Sequence, residues 1–289
     1  MTQRPVAVPD GALEQECRDE HGSRGQAAAQ QPAGPSRRPA GPGGRLHGRS
    51  VASRDVVGVV EDGTVPLQNR VMPTGEIVAD GGRGLMMGNR GCLHGQGRQL
   101  GASRWRSQRW ICCVLDWKGV RRDPMPPGRW TALFFLDEAT ALAAGHRPCA
   151  YCRHQDYTDF TGAWCAARQL PRPPRAGEMD AVLHRERTGR LQREVTHLAP
   201  AGELPDGVMV WVGGGAALLL GGRLLPWSFH GYGAPAEPGP PGAMEVLTPP
   251  STVAAIAAGY RPLVHPTALT GRPRAGGAPP GVRAYSGDW

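Results

Sequence analysis

The stretch FFLDEATALAAGHRPCAYCR, Phe134–Arg153, changes character three times within a few turns of chain. Leu133–Leu136 is apolar and reads as the end of a strand. Asp137 is placed to cap a short helix over EATALAA, and Gly145 sits where a helix is stopped by a residue that tolerates positive φ. Arg147-Pro148 keeps the helix from resuming. Cys149 and Cys152 follow as a C-x-x-C pair. Two intervening residues let both sulfurs turn toward one point, which is what a tetrahedral Zn²⁺ requires. A redox pair of the thioredoxin type needs the motif to open a helix after a strand, whereas this one follows a helix. Packed, unreactive thiols are the third alternative.

A pair is half of a closed site, so further ligands are sought upstream. RWICCVLDW, Arg109–Trp117, reads as a strand on which Cys112 and Cys113 point to opposite faces. Cys113 is the favoured third ligand, on the argument that it shares a core-directed face with Ile111 and Leu115. Cys92 or His94, in the glycine-rich GNRGCLHG, is expected to supply the fourth. GRWTALFFL, Gly128–Leu136, is expected to pair with Arg109–Trp117 as a long-looped hairpin. Cys165 is read as a packed thiol, and Cys17 and His47 carry no assigned role.

FFLDEATALAAGHRPCAYCR resembles the end of the zinc-binding domain at the N-terminus of the Ada DNA-repair methyltransferase. That family has a Phe-Phe strand end, an Ala-rich helix and then Gly-aromatic-Arg-Pro-Cys-x-x-Cys. The resemblance implies that Cys149 and Cys152 are thiolate ligands of zinc. It covers about 20 of 289 residues. Ada's first cysteine pair, a C-x-x-x-C, has no counterpart here, so its methyl-accepting chemistry is not implied. Together with GNRGCLH and LLPWSFHGY, the segment also resembles a bacterial protein family with no established activity.

Outward from this centre, ten basic residues lie between Arg83 and Arg129, opposed only by Asp116 and Asp123. Trp105, Trp110, Trp117 and Trp130 are interleaved with them. Arginines neutralise phosphates and exposed indoles stack on unpaired bases, so this segment points to a nucleic-acid partner. Arg104, Trp105, Arg106, Arg109, Arg121 and Arg122 are the expected contacts. The whole chain carries a net charge of +8. Lys118 is its only lysine, and with the Ala, Gly and Pro richness this looks like a GC-rich coding bias, to which part of the basicity is then owed.

His184, Glu186, Glu194, His197 and, further on, His230 bring acid–base groups into the C-terminal half. They are the weaker candidates for a hydrolytic site. No nucleophile elbow, H-E-x-x-H or phosphate loop accompanies them. A protein-interaction module is the remaining alternative.

The expected architecture is α+β. A small zinc-binding strand–helix module at 73–170 is followed by a β-rich region at 177–268. GVMVWV, AALLL and RLLPW are strands divided by GGG and GG turns. STVAAIAAGYRP is a short helix whose exit echoes ALAAGHRPC. Residues 1–70, with one strand-like DVVGVV at Asp55–Val60, and the 269–289 tail are rich in Gly, Pro and Arg and are expected to be disordered. No apolar run is long enough for a membrane span, and the N-terminus lacks a secretory pattern, so a cytoplasmic protein with reduced thiols is expected.

Overall fold

A computed structural model describes residues 65–120, 123–188, 196–239, 242–270 and 281–285. Asp55–Val60, Cys17, His47, Arg121, Arg122, Glu194 and most of the C-terminal tail lie outside the described residues.

The chain forms helices and sheets in an α+β arrangement. The first sheet has six strands: β1 (Gln68–Val71), β2 (Ile77–Ala79), β3 (Met86–Asn89), β4 (Ile111–Val114), β5 (Leu133–Phe135) and β6 (Arg147–Pro148). Helices α1 (Glu138–Ala143), α2 (His154–Ala167) and α3 (Ala176–Arg187) accompany it. Strands β7 (His197–Pro200), β8 (Met209–Val212), β9 (Gly215–Leu220), β10 (Arg223–Ser228), β11 (Gly231–Tyr232) and β12 (Ala243–Val246) make the second sheet. Helix α4 (Pro250–Ala257), the pair β13 (Leu263–Val264) and β14 (Arg283–Ala284), and two short 3-10 turns, Ala201–Glu203 and Pro266–Leu269, complete the described elements.

Across the first sheet the order is β2-β1-β5-β3-β4-β6. The expected hairpin between β4 and β5 does not form, because β3 lies between them and pairs antiparallel with both. Strand β6 is parallel to β4, with Pro148 opposite Cys112. The core side of this sheet carries Val71, Ile77, Met86, Cys112, Leu133 and Phe135.

The helix at the centre of the reading forms as the sequence prescribes. Asp137 accepts hydrogen bonds from the Thr140 amide at 2.9 Å and the Thr140 hydroxyl at 2.8 Å. Gly145 has φ +77°, and a Cβ there would meet Arg187 Cδ at 2.3 Å. Both the turn and the close approach therefore require glycine.

The second sheet follows the order β11-β10-β9-β8-β12-β7. Gly213-Gly214 and Gly221-Gly222 turn the chain between β8, β9 and β10, all four at positive φ. This is the backbone that two-residue hairpins favour.

Three boundaries differ from expectation. Residues 176–187, placed at the start of the β-rich region, form α3 instead, because Met179, Asp180, Leu183 and Arg187 recur at helical spacing on its buried face. Strand β1 begins before residue 70. Within the C-terminal tail, β14 pairs with β13, so this part is tied to the body.

The apolar interior crosses the expected module boundary. Leu142, Phe160 and Trp164 pack with Val208, Val210, Ala217 and Val246. Leu136, Ala139 and Ala143 pack with Met209, Leu218 and Val264. Helices α1 and α2 thus contribute to cores built on the second sheet.

Candidate metal centre

Strand β4 divides the two neighbouring cysteines. Trp110, Cys112 and Val114 are buried, while Ile111 and Cys113 are half-buried and Leu115 is exposed. Cys113 therefore stands on the outer face, not the core face on which it was expected. It meets the C-x-x-C pair for a different reason. The parallel pairing of β6 with β4 brings the Cys149 amide to the Cys112 carbonyl, a 2.9 Å hydrogen bond. That bond sets Cys149 beside Cys113. Ala150 and Tyr151 then turn the chain so that Cys152, just ahead of α2, faces the same point. The sulfurs of Cys113, Cys149 and Cys152 all lie within 4.8 Å of one another. Sulfurs sharing a tetrahedral Zn²⁺ at about 2.3 Å stand roughly 3.8 Å apart, so the spacing suits a shared cation.

The protonation of this group is collective. Hydrogen bonds from Cys113 and then Cys152 hold the Cys149 thiol far below its ordinary pKa. The bond to Cys149, then that to Cys152, pushes Cys113 up, and burial adds to this. Cys152 is pulled down by Cys113 but raised on balance by Cys149 and by burial. The three thiols thus titrate as a group in which Cys149 is the favoured seat of negative charge. A dication can replace the thiol protons and draw charge onto all three sulfurs. The Tyr151 amide donates to Cys149 Sγ at 3.4 Å, a further stabilisation of negative sulfur. Three soft thiolates suit zinc and other thiophilic ions better than magnesium or calcium.

Among the described residues, no fourth Cys, His, Asp or Glu joins this group. The two expected fourth ligands are placed elsewhere. Cys92 Sγ lies 2.8 Å from the Arg129 carbonyl oxygen. His94 is buried with both ring nitrogens engaged, Nδ1 by Thr131 Oγ1 at 2.6 Å and Nε2 by the Pro126 carbonyl at 3.0 Å. Both residues sit in a loop fastened to the 126–131 segment, which holds them away from the outer face of β4.

Beneath the thiols runs a buried ionic network. Arg153, next to Cys152, contacts Glu138 Oε1 at 2.8 Å and Asp156 Oδ2 at 2.7 Å. It also donates to Cys112 Sγ at 3.4 Å. Arg283 of β14 reaches Asp156 at 2.6 Å, and the Leu263 amide donates to Glu138 at 2.8 Å. Two cations and two carboxylates balance one another, which is how charge survives burial. The network joins the end of the C-x-x-C motif to α1, α2 and the β13–β14 pair.

Much of the arginine- and tryptophan-rich segment turns inward. Trp110 is fully buried between two guanidiniums, Arg90 at 4.0 Å and Arg187 at 3.8 Å from its ring centroid. Trp105 is half-buried, 5.8 Å from Trp110 and 5.7 Å from His184. Arg104 donates to the Gly101 carbonyl at 2.8 Å, Arg109 is half-buried and Arg106 is exposed. The Arg90–Trp110–Arg187 stack escapes a sequence reading, since its members are far apart in the chain. His146 packs edge-on to Phe135 at 4.6 Å. Burial, then the charges of Arg90 and Arg187, pushes its pKa well down, so the ring is held neutral.

The C-terminal acid–base residues take separate places. His184 packs against Trp105 and Trp110, and burial followed by Arg187 lowers its pKa. Glu186 accepts hydrogen bonds from the Ser251 amide at 3.0 Å and its hydroxyl at 2.5 Å, a carboxylate set at the start of α4. His197, on β7, has its pKa lowered by burial and partly restored by Glu186. His230 is exposed on the turn between β10 and β11.

No family model, curated protein or solved structure matches the chain. No helix among the described residues is long and apolar enough to cross a membrane.

Proposed function

We propose that the chain is a zinc protein, with Cys113, Cys149 and Cys152 as thiolate ligands, and that it binds nucleic acid. The observation that carries the metal assignment is the convergence of three cysteine sulfurs from β4 and the β6–α2 turn. The cation's part is structural. It ties together short strands that meet only through non-local pairing, and such a link contributes directly to folding free energy. The fourth coordination position is left to a ligand beyond the described residues or to solvent.

The nucleic-acid reading is supported by the +8 charge of the chain and by the exposure of Arg106 beside Arg104 and Arg109. Trp110, which is not among the expected contacts, is committed to the interior. Trp105 offers only a partial ring face.

Metal analysis of the purified full chain tests the first half of this reading. About one zinc per chain is expected, falling to a small fraction in Cys149→Ser. Less than about half a zinc in the unsubstituted protein overturns it. Titration with a single-stranded oligonucleotide at several salt concentrations tests the second. Affinity should fall steeply with salt, and Arg104→Ala/Arg106→Ala should flatten the slope by about one to two charges. A salt-independent or undetectable interaction overturns it.

A further inference from the structure

The outer face of the first sheet holds more than the thiols. Strand pairing places Arg70 opposite Phe134, Phe134 opposite Met87 and Met87 opposite Cys113. Residues paired in this way project to the same face of a sheet. All four are half-buried, whereas their neighbours Val71, Phe135, Met86 and Cys112 are buried on the other side. Adjacent strands stand about 4.8 Å apart, so Phe134 lies roughly 10 Å from the Cys113 backbone.

At the Arg70 end of this row opens a cavity of about 590 Å³. Arg70, Asp80, Arg83, Leu115, Pro124 and Phe134 are among its lining residues. The volume lies within the range of small-molecule sites. Its polar side is built rather than incidental. Arg70 donates through Nε to the Gly82 carbonyl at 2.6 Å and through Nη1 to Asn69 Oδ1 at 2.5 Å, and its guanidinium lies 4.9 Å from the Phe134 ring centroid. The Gly82 amide in turn donates to Asp80 Oδ1 at 2.6 Å. These bonds fix the guanidinium and the glycine-rich loop 80–84 around it.

Charge in the cavity is unbalanced. Arg70 and Arg83 both line it, with Asp80 as the carboxylate among the lining residues. No carboxylate among the described residues lies within ion-pairing distance of either arginine. Burial weakens the hold of Arg70 on its proton, Asp80 partly restores it, and Arg83 opposes it again. Two like charges that line one cavity are relieved by an anion. Guanidiniums suit phosphate in particular: Arg83 has its fork of donors to offer, and Arg70 has the Nη2 donors that it does not spend on Gly82 and Asn69. The apolar part of the lining, Phe134, Leu115 and Pro124, begins beside the Arg70 guanidinium and gives a wall that suits a flat ring.

We propose that this cavity binds a phosphorylated nucleoside, with the phosphate between Arg70 and Arg83 and the base against the Phe134–Leu115–Pro124 wall. The ligand can be a free mononucleotide or one nucleotide of a single strand, and the second case rests on the nucleic-acid reading above. The zinc assignment is independent of it.

Calorimetric titration of the full chain with AMP and, separately, with a short single-stranded oligonucleotide distinguishes the sources. The variants are Arg83→Glu, at an exposed position where folding is not at stake, and Phe134→Ala, checked by thermal melting. Binding of either ligand that weakens about tenfold or more in Arg83→Glu, at an unchanged melting temperature, supports the proposal. If AMP binds in this way and the oligonucleotide does not, the cavity assignment stands and the nucleic-acid reading falls. If the oligonucleotide binds but responds only to Arg104→Ala/Arg106→Ala, the reading stands and the cavity assignment is overturned. Binding of neither ligand, or equal affinity for inorganic phosphate and AMP, also overturns it.

Discussion

The two sheets solve the same problem by opposite means. The second is made largely by neighbours in sequence: β8, β9 and β10 follow one another through two-residue glycine turns. Its interior is apolar, and among the described residues no charged side chain is buried between Val208 and Leu247. Apart from the local β1–β2 hairpin, the first sheet is assembled from strands of two to four residues whose partners are distant in the chain. It and its helices hold the buried Arg90, Glu138, Arg147, Arg153, Asp156, Asp180 and Arg187. Short strands with non-local partners gain little from each closure, so they need strong fastenings. Here these are the thiol group, the Arg153 network and the paired guanidiniums around Trp110. A sheet made of hairpins can rely on packing. One made of crossovers depends on a few specific contacts and is vulnerable where those fail.

On the proposed zinc assignment, removing the cation should separate the two sheets most clearly. After chelation, amide exchange is expected to accelerate in β4, β6 and the start of α2, by at least about a hundredfold given the binding energy of structural zinc sites. Amides of β8–β10 should stay protected much longer. Equal acceleration in both sheets would mean that the fastening serves the whole body. Next in size is Glu138→Gln, which leaves Arg153 buried with one charged partner fewer. A loss of about 3–5 kcal/mol by denaturant titration is expected, with Arg172→Ala at the exposed Arg172–Glu178 pair as a near-neutral control. A cost below about 1 kcal/mol would show that the network adds nothing beyond a surface pair. The smallest effect belongs to the hairpin sheet. Gly221→Ala places a side chain at φ +62° and should cost about 1–2 kcal/mol while leaving zinc content unchanged. Loss of zinc in that variant would show that the two sheets are not fastened independently.

The same contrast governs what can be read from the sequence. Local signals are legible: the Asp137 cap, the Gly145 stop, the C-x-x-C spacing and the glycine hairpins all depend on residues a few positions apart. Cys113 does meet the C-x-x-C thiols, but the face argument that singles it out is reversed, because Trp110, Cys112 and Val114 make the stronger apolar stripe. The insertion of β3 between β4 and β5 leaves no local trace, and with it goes the expected hairpin. Cys92 and His94 are ligand candidates by composition alone, and the hydrogen bonds of His94 to Thr131 and Pro126 are invisible from spacing. A usable signal does exist for the ionic network. Glu138 is the one charged residue of a helix otherwise made of Ala, Leu and a single Thr, and Arg153 and Asp156 are three apart at a helix start, a pattern that invites a buried pair.

Strand β6 consists of Arg147 and Pro148 alone, at the margin of its sheet. Proline has no N–H to offer an incoming chain, and the Arg147 side chain is clasped by both oxygens of Asp180 at 2.8 Å. The sheet is thereby closed to lateral growth on that side, so a molecule built from many stubby strands is guarded there against stacking edge-on with its own copies.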